Sequence, residues 1–284
     1  MNWNTLVSVA EFAPHAGDAG VRVFDARGVA AVTPGGTDPA SLFKAGHLPG
    51  AQYADLDHDL SDLGKTGLGR HPLPDSQTFA RKLGAWGVGP QHQVVVYDAQ
   101  DGGMAAARMW WLLKLLGHER VAVLDGGLAA WQAAGLPVTR ETRTFDNLPP
   151  YPGEFDATRI VDAQAVHARL GEDGWLIDAR AAERFRGAVE PVDPVAGHVP
   201  GALNRPFGQS LRDGRFKPAD ELRGELLSLL RGRSPADTVL MCGSGVTACH
   251  LLLAFEHAGL HGAKLFAASW SGWISDPARP VAQG

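Results

Sequence analysis

The chain has 284 residues, 45% hydrophobic and 20% charged, with a formal net charge of −5 and two cysteines. That hydrophobic share excludes a disordered chain, and the length suits one large domain or two ordinary ones. Arg and Asp are interspersed rather than clustered as on a nucleic-acid surface, and two thiols exclude a disulfide scaffold and point to a reducing compartment.

In chain order, Val21–Asp25 is a short apolar run ending in Asp25-Ala26-Arg27, which predicts a buried parallel strand whose C-terminal end opens into a loop. Residues 34–39 and 59–74 are polar and glycine-rich and read as surface excursions around the first sheet. Residues 94–97 predict a second strand, followed by a glycine-bearing turn, a helix over 104–116 and a strand at Val121–Leu124. The stretch 140–158 holds Asn147, Pro149, Pro150, Pro152 and Gly153, buries little and reads as a linker. Beyond it, strands are predicted at 175–178, Val239–Met241 and 263–266, with a helix over 246–258. Alternating strands and helices predict a parallel α/β sheet covered on both faces. No stretch approaches the roughly 20 apolar residues of a membrane helix. Met1-Asn2-Trp3-Asn4 lacks the basic start and apolar run of a signal peptide. The expectation is a cytoplasmic protein with no membrane and no nucleic-acid partner.

The chain is written twice. Val23-Phe24-Asp25-Ala26-Arg27 returns as Leu176-Ile177-Asp178-Ala179-Arg180, and Gly46-His47-Leu48-Pro49-Gly50-Ala51 as Gly197-His198-Val199-Pro200-Gly201-Ala202. Val94-Val95-Val96-Tyr97-Asp98 is answered by Thr238-Val239-Leu240-Met241-Cys242, and Trp131 by Trp273. Four matches in one order mark a duplication. The expected division is 1–142, a linker 143–157, and 158–284. Asp25, Arg27 and His47 recur as Asp178, Arg180 and His198 although one half has no cysteine, so these residues read as structural.

The chemistry concentrates at Met241-Cys242-Gly243-Ser244-Gly245-Val246-Thr247-Ala248. Cys242 ends a predicted strand and opens a tight turn into a helix, where loop N–H groups can curl around the sulfur. The helix N-terminus adds a partial positive charge. Both favour a thiolate, the form a sulfur nucleophile requires. Gly243 and Gly245 supply the backbone angles of such a nest, and Ser244 and Thr247 add hydroxyl donors without charge. A lone Cys is often just a small buried residue; strand, Cys, Gly-x-Gly turn and helix together point to catalysis. Cys249, two turns into the helix amid Leu251, Leu252 and Leu253, reads as core. No second cysteine lies at zinc-type spacing, so no metal is expected. A cysteine phosphatase needs an arginine at the end of its loop, and residues 242–248 contain no Arg or Lys, which argues against that reading.

Together these residues resemble the two-domain rhodanese-type sulfurtransferases over about residues 5–283. The resemblance rests on the paired Gly-His-x-Pro-Gly-Ala blocks, the Asp-Ala-Arg strands, Leu124-Asp125-Gly126-Gly127 and the Cys242 loop. The tail adds to it, with Ser269-Trp270-Ser271-Gly272-Trp273, Asp276-Pro277 and Arg279-Pro280-Val281. Cys-Gly-Ser-Gly-Val-Thr-Ala is similar to the loop of 3-mercaptopyruvate sulfurtransferases; thiosulfate-preferring relatives carry basic residues there. The resemblance implies two tandem rhodanese-like α/β domains that work without cofactor or metal. Sulfane sulfur would pass from 3-mercaptopyruvate or thiosulfate through a Cys242 persulfide to cyanide, a thiol or thioredoxin.

It further implies that the amides of Gly243, Ser244, Gly245, Val246 and Thr247 stabilise the extra sulfur. Ser244, His71 and Asp57 would relay a proton to the leaving enolate, and Arg184 would grip the donor anion. On its own, Arg184 reads as a surface ion pair with Glu183 or Glu190. Mercaptopyruvate enzymes supply a second arginine after a Glu-Pro step, but Glu190-Pro191 is followed here by Val192 and then Asp193-Pro194-Val195-Ala196. Arg186 or Arg205 is left to compensate. Asp98 stands where the first half would carry its cysteine, so that half is expected to be silent, with Trp110 and Trp111 in packing roles. Two other readings stand beside the enzyme: a persulfide carrier with little turnover, and an interaction scaffold.

Overall fold

Five short segments in each half become strands; the central ones are covered on both faces and all their residues but Lys264 are buried, while the edge strands are half-buried. The computed structural model describes residues 1–28, 38–103 and 105–284. The first sheet holds β1 (Leu6–Val7), β2 (Val21–Asp25), β3 (Ala51–Tyr53), β4 (Gln93–Tyr97) and β5 (Val121–Leu124) in the order β1-β5-β4-β2-β3. Then come β6 (Ile160–Val161), β7 (Leu176–Asp178), β8 (Leu203–Asn204), the two-residue strands β9 (Leu211–Arg212) and β10 (Arg215–Phe216), β11 (Val239–Met241) and β12 (Lys264–Phe266). The second sheet runs β6-β12-β11-β7-β8, the same order again, and every pairing in both five-stranded sheets is parallel. The architecture is therefore two copies of one parallel α/β fold.

The helices that follow the central strands, Ala106–Leu115 and Thr247–His257, are buried almost all round rather than along one stripe. Each starts a little later than the apolar pattern suggests; Met104 lies outside the described residues. Trp110 and Trp111 are fully buried, with Trp110 Nε1 donating to the Asn4 carbonyl at 2.9 Å.

The duplication extends to individual hydrogen bonds. Arg27 forks onto Asp25 and caps the Gly46 carbonyl at 2.8 Å; Arg180 forks onto Asp178 and caps the Gly197 carbonyl at the same distance. His47 stacks on Phe43 and its Nδ1 lies 2.8 Å from the Phe43 carbonyl, as His198 does with Phe185. Trp131 Nε1 donates to the Pro137 carbonyl, and Trp273 Nε1 to that of Pro280. Each fork fastens the end of a central strand to the loop beside it.

Three expectations need correction. The described residues divide into two compact units, and Leu63–Leu73 belongs to the second, with Ala157–Arg212 and Lys217–Gly284. Most of the 59–74 segment is thus not an excursion around the first sheet; its backbone is held by Ser271, whose Oγ accepts from the Arg70 N–H at 3.1 Å. Of the excursion at 34–39, residues 34–37 lie outside the described residues, whereas Asp38 caps the helix Pro39–Ala45 by accepting from the Ser41 N–H. The proline-rich stretch buries little, as expected, but it is held to the first unit. The amides of Leu148, Tyr151 and Asp156 donate to the carbonyls of Gly84, Ala80 and Leu115 at 2.9 Å, so it is a strap on the first unit. Gly84 is needed there, because a Cβ would stand 2.6 Å from the Pro149 carbonyl oxygen. Beneath the strap, Tyr151 meets His118, whose imidazole is driven down to about 4 by burial.

Arg27→Ala leaves the Asp25 carboxylate buried with Tyr97 but without its cation. The expected loss is roughly 3–5 kcal/mol, measured by urea denaturation; an unchanged midpoint would refute the structural role of the fork.

Candidate active site

Cys242 directly follows β11 at the carboxyl end of the second sheet, where open α/β sheets place their ligands. Its side chain is 1% exposed, and Sγ accepts the Gly245 N–H at 3.1 Å. Gly245 sits at φ +81°, and a Cβ there would lie 2.3 Å from the Ala267 carbonyl oxygen, so no other residue fits without a shift. On the far side of the loop, the Cys242 N–H donates to Ser269 Oγ at 3.0 Å, and that hydroxyl donates to the Phe266 carbonyl. The Trp270 and Ser271 amides hold the carbonyls of Cys242 and Gly243.

The first copy has the same frame with different contents. Leu128 and Ala129 amides hold the Asp98 and Ala99 carbonyls, and Asp98 Oδ1 accepts the Gly102 N–H at 2.9 Å. A carboxylate occupies the place of the sulfur. Gly127, at φ +54°, matches Ser269 at φ +52°. The second copy thus keeps a serine in a conformation that costs a non-glycine residue about 1–2 kcal/mol, and gains the hydroxyl that takes the Cys242 amide.

Two guanidinium groups face the loop. A Cβ on Gly243 would stand 3.1 Å from Arg70 Nη2 and 3.5 Å from Arg184 Nη1. Arg184 forks onto Glu190 at 2.7 and 3.1 Å and reaches Asp193 Oδ2 at 3.0 Å; Arg70 pairs with Asp193 Oδ1. Glu190 also accepts the Val192 and Asp193 amides and lies 3.4 Å from Arg180. Burial opposes charge on Glu190, yet the Arg184 hydrogen bond and the two amides outweigh it and hold the carboxyl below its usual range. Asp193 goes the other way: burial raises it despite Arg70, and the neighbouring Glu190 adds to the rise.

His71 Nδ1 lies 2.8 Å from Ser244 Oγ, so the second unit brings together Cys242, Gly243, Ser244, Gly245, His71 and Arg184. Val246 is buried where the loop ends, and Thr247 is the first residue of the helix. Asp57 lies in the first unit, its N–H donating to Asp55 Oδ1. Cys249 Sγ donates to the Gly245 carbonyl and packs the helix. Arg184 does pair with Glu190, but Glu183 is 4.0 Å from Arg186 instead. Of the two proposed substitutes for the missing cation, Arg186 is exposed and Arg205 pairs with Glu225. The absence of Arg and Lys from residues 242–248 does not make the site uncharged, since both guanidinium groups arrive from elsewhere. Arg70, Asp193 and Ser269 escaped the sequence reading; the one signal was Arg70's place beside His71.

The Rhodanese-like domain model matches residues 8–134 and 162–276. A Pseudomonas aeruginosa protein named as a probable 3-mercaptopyruvate sulfurtransferase is 51% identical over 254 residues, covering 86% of this chain and 87% of that protein. SseB of Mycobacterium tuberculosis, provisionally named a thiosulfate sulfurtransferase, is 40% identical over 87% of each chain. The crystal structure of SseA from Escherichia coli, described as a 3-mercaptopyruvate sulfotransferase, superposes with a TM-score of 0.77 at 33% identity. That match covers 95% of this chain and 100% of that one. The chain belongs to the rhodanese-like family, as a member with two copies of the domain. Within that family it is a sulfurtransferase.

Glu190→Gln should lower stability by about 3 kcal/mol at neutral pH, because the buried Arg180 and the part-exposed Arg184 lose a shared, largely buried carboxylate. Since the folded-state value of Glu190 is depressed, its contribution is present above the ordinary carboxylate range and lost as pH falls through that depressed value. Melting curves of wild type and variant should converge in acid; a constant gap would rule out the ionic origin.

Proposed function

We propose that the chain moves sulfane sulfur from 3-mercaptopyruvate or thiosulfate to a thiophilic acceptor through a persulfide on Cys242. The observation that carries this reading is the sulfur itself: buried at a strand end, with the Gly245 amide donating to it. The Cys242 thiolate attacks the donor's outer sulfur. With mercaptopyruvate an S–S bond forms, the C–S bond breaks and its electron pair leaves as the pyruvate enolate, which takes a proton. With thiosulfate the S–S bond breaks and sulfite leaves. An acceptor then attacks the terminal sulfur and frees the thiolate: cyanide, a small thiol or a dithiol protein such as thioredoxin. Amides of residues 243–247 stabilise the charged persulfide. The His71–Ser244 hydrogen bond supports their role in delivering the enolate's proton, with Asp57 as the third member of the relay. Arg184 holds the donor anion.

In this reading residues 1–142 form a silent copy, since an Asp98 carboxylate carries no persulfide. The scarcity of thiols and the two free cysteines support a reducing, cytoplasmic location. Among the described residues no helix is long and apolar enough to cross a membrane.

Intact mass after incubation with each donor should show one added sulfur atom on wild type and none on Cys242→Ser, with thiocyanate released on adding cyanide. If wild type gains no sulfur from either donor, the proposal fails. His71→Ala should slow turnover by roughly a hundredfold with mercaptopyruvate and by much less with thiosulfate, whose sulfite needs no proton to leave; equal losses would remove His71 from the relay.

A further inference from the structure

Arg70 lies on Leu63–Leu73, and that segment packs so closely in the second unit that a Cβ on Gly69 (φ +87°) would stand 2.4 Å from the Ala268 carbonyl oxygen. The packing brings the Arg70 side chain to Asp193, on the opposite side of that carboxylate from Arg184. Asp193 gives one oxygen to each: Oδ1 to Arg70 Nη1 and Oδ2 to Arg184 Nη2. Among the described residues, Arg70 Nη2 and Arg184 Nη1 have no hydrogen-bond partner. These same nitrogens come close to Gly243, the residue next to Cys242, where a Cβ would already stand 3.1 Å from Arg70 Nη2 and 3.5 Å from Arg184 Nη1. Both side chains are part-exposed, 32% for Arg70 and 22% for Arg184, so they can be reached from solvent.

We propose that Arg70 is the second arm of the donor-anion site. With Arg184 it holds the carboxylate of mercaptopyruvate, or the oxygens of thiosulfate, beside the Cys242 loop. Asp193 is the positioning residue that turns one nitrogen of each guanidinium toward the loop. Arg70 thereby supplies, from another segment, the cation that Val192 does not. Arg70, Arg180 and Arg184 face Asp178, Glu190 and Asp193, so the cluster is balanced in charge. Donors are held by directed N–H groups rather than by a surplus of positive charge. The proposal rests on the reading of Cys242 as the sulfur acceptor.

The test is steady-state kinetics of the full chain with each donor, cyanide as acceptor, for wild type, Arg70→Ala and Arg70→Lys. A parallel measurement follows the discharge of preloaded persulfide to cyanide. Arg70→Ala should raise the donor KM about tenfold or more, the scale of one charge-assisted hydrogen bond, with kcat changed far less. Arg70→Lys should recover part of the loss, keeping the charge but not the fork. Discharge should run at the wild-type rate, because the donor has already left. A donor KM within about twofold of wild type in Arg70→Ala overturns the proposal, and so does an equal slowing of discharge, which marks a general structural role. If Arg70→Ala does not fold, Arg70→Lys decides: a raised donor KM with unchanged discharge supports the clamp, and an unchanged KM overturns it. A wild-type chain that takes up no sulfur overturns instead the Cys242 reading beneath it.

Discussion

A buried carboxylate–guanidinium fork anchors each copy of this fold. Asp25–Arg27 and Asp178–Arg180 hold the loop after the second strand of each copy against a neighbouring loop carbonyl, with almost no solvent access. Such pairs add little to stability beyond what an apolar pair would give, but breaking one is costly, so they fix geometry more than they deepen the fold. In the first copy Arg27 directs its remaining hydrogen bonds to the Leu42 and Gly46 carbonyls. In the second, Arg180 also reaches Glu190, Glu190 grips Arg184, and Arg184 shares Asp193 with Arg70. A staple that belongs to the fold has become the first link of an alternating chain of charges that ends over the cysteine loop.

The two copies act as a control on one another. Both place a loop after the central strand, hold its carbonyls with the same pair of amides, and put a left-handed residue in the turn behind it. They differ in what sits in the frame: Asp98 against Cys242, and Gly127 against Ser269. The shared parts are explained by the fold. The differences, a sulfur in place of a carboxylate and a strained serine in place of a relaxed glycine, are where the second copy departs from the needs of packing.

Much of this was legible in the sequence for a physical reason. Buried parallel strands are mostly apolar, so β2, β4, β5 and β11 announce themselves, and the glycines around Cys242 mark a tight turn, with no room for a side chain at Gly245. The Asp-Ala-Arg and Gly-His-x-Pro-Gly blocks marked their residues as structural because they recur in the half without a cysteine. What stayed hidden depends on contacts between distant residues. Arg70 meets Asp193 across 123 positions, and nothing local to either announces the other. Val192 marked a missing cation, while its neighbour Asp193, which joins two arginines, went unremarked. The strap through Leu148, Tyr151 and Asp156 is held by backbone hydrogen bonds, which composition cannot report.

The membership of Leu63–Leu73 in the second unit bears on how this gene can be taken apart. Asp213–Phe216 makes the reverse exchange: it belongs to the first unit, where the Phe216 N–H meets the Asp125 carboxylate. A chain divided in the proline-rich stretch would yield a second half with Cys242, Ser244 and Arg184 but neither Arg70 nor His71. Duplication made two copies, and each compact unit now includes a segment from the other half of the sequence.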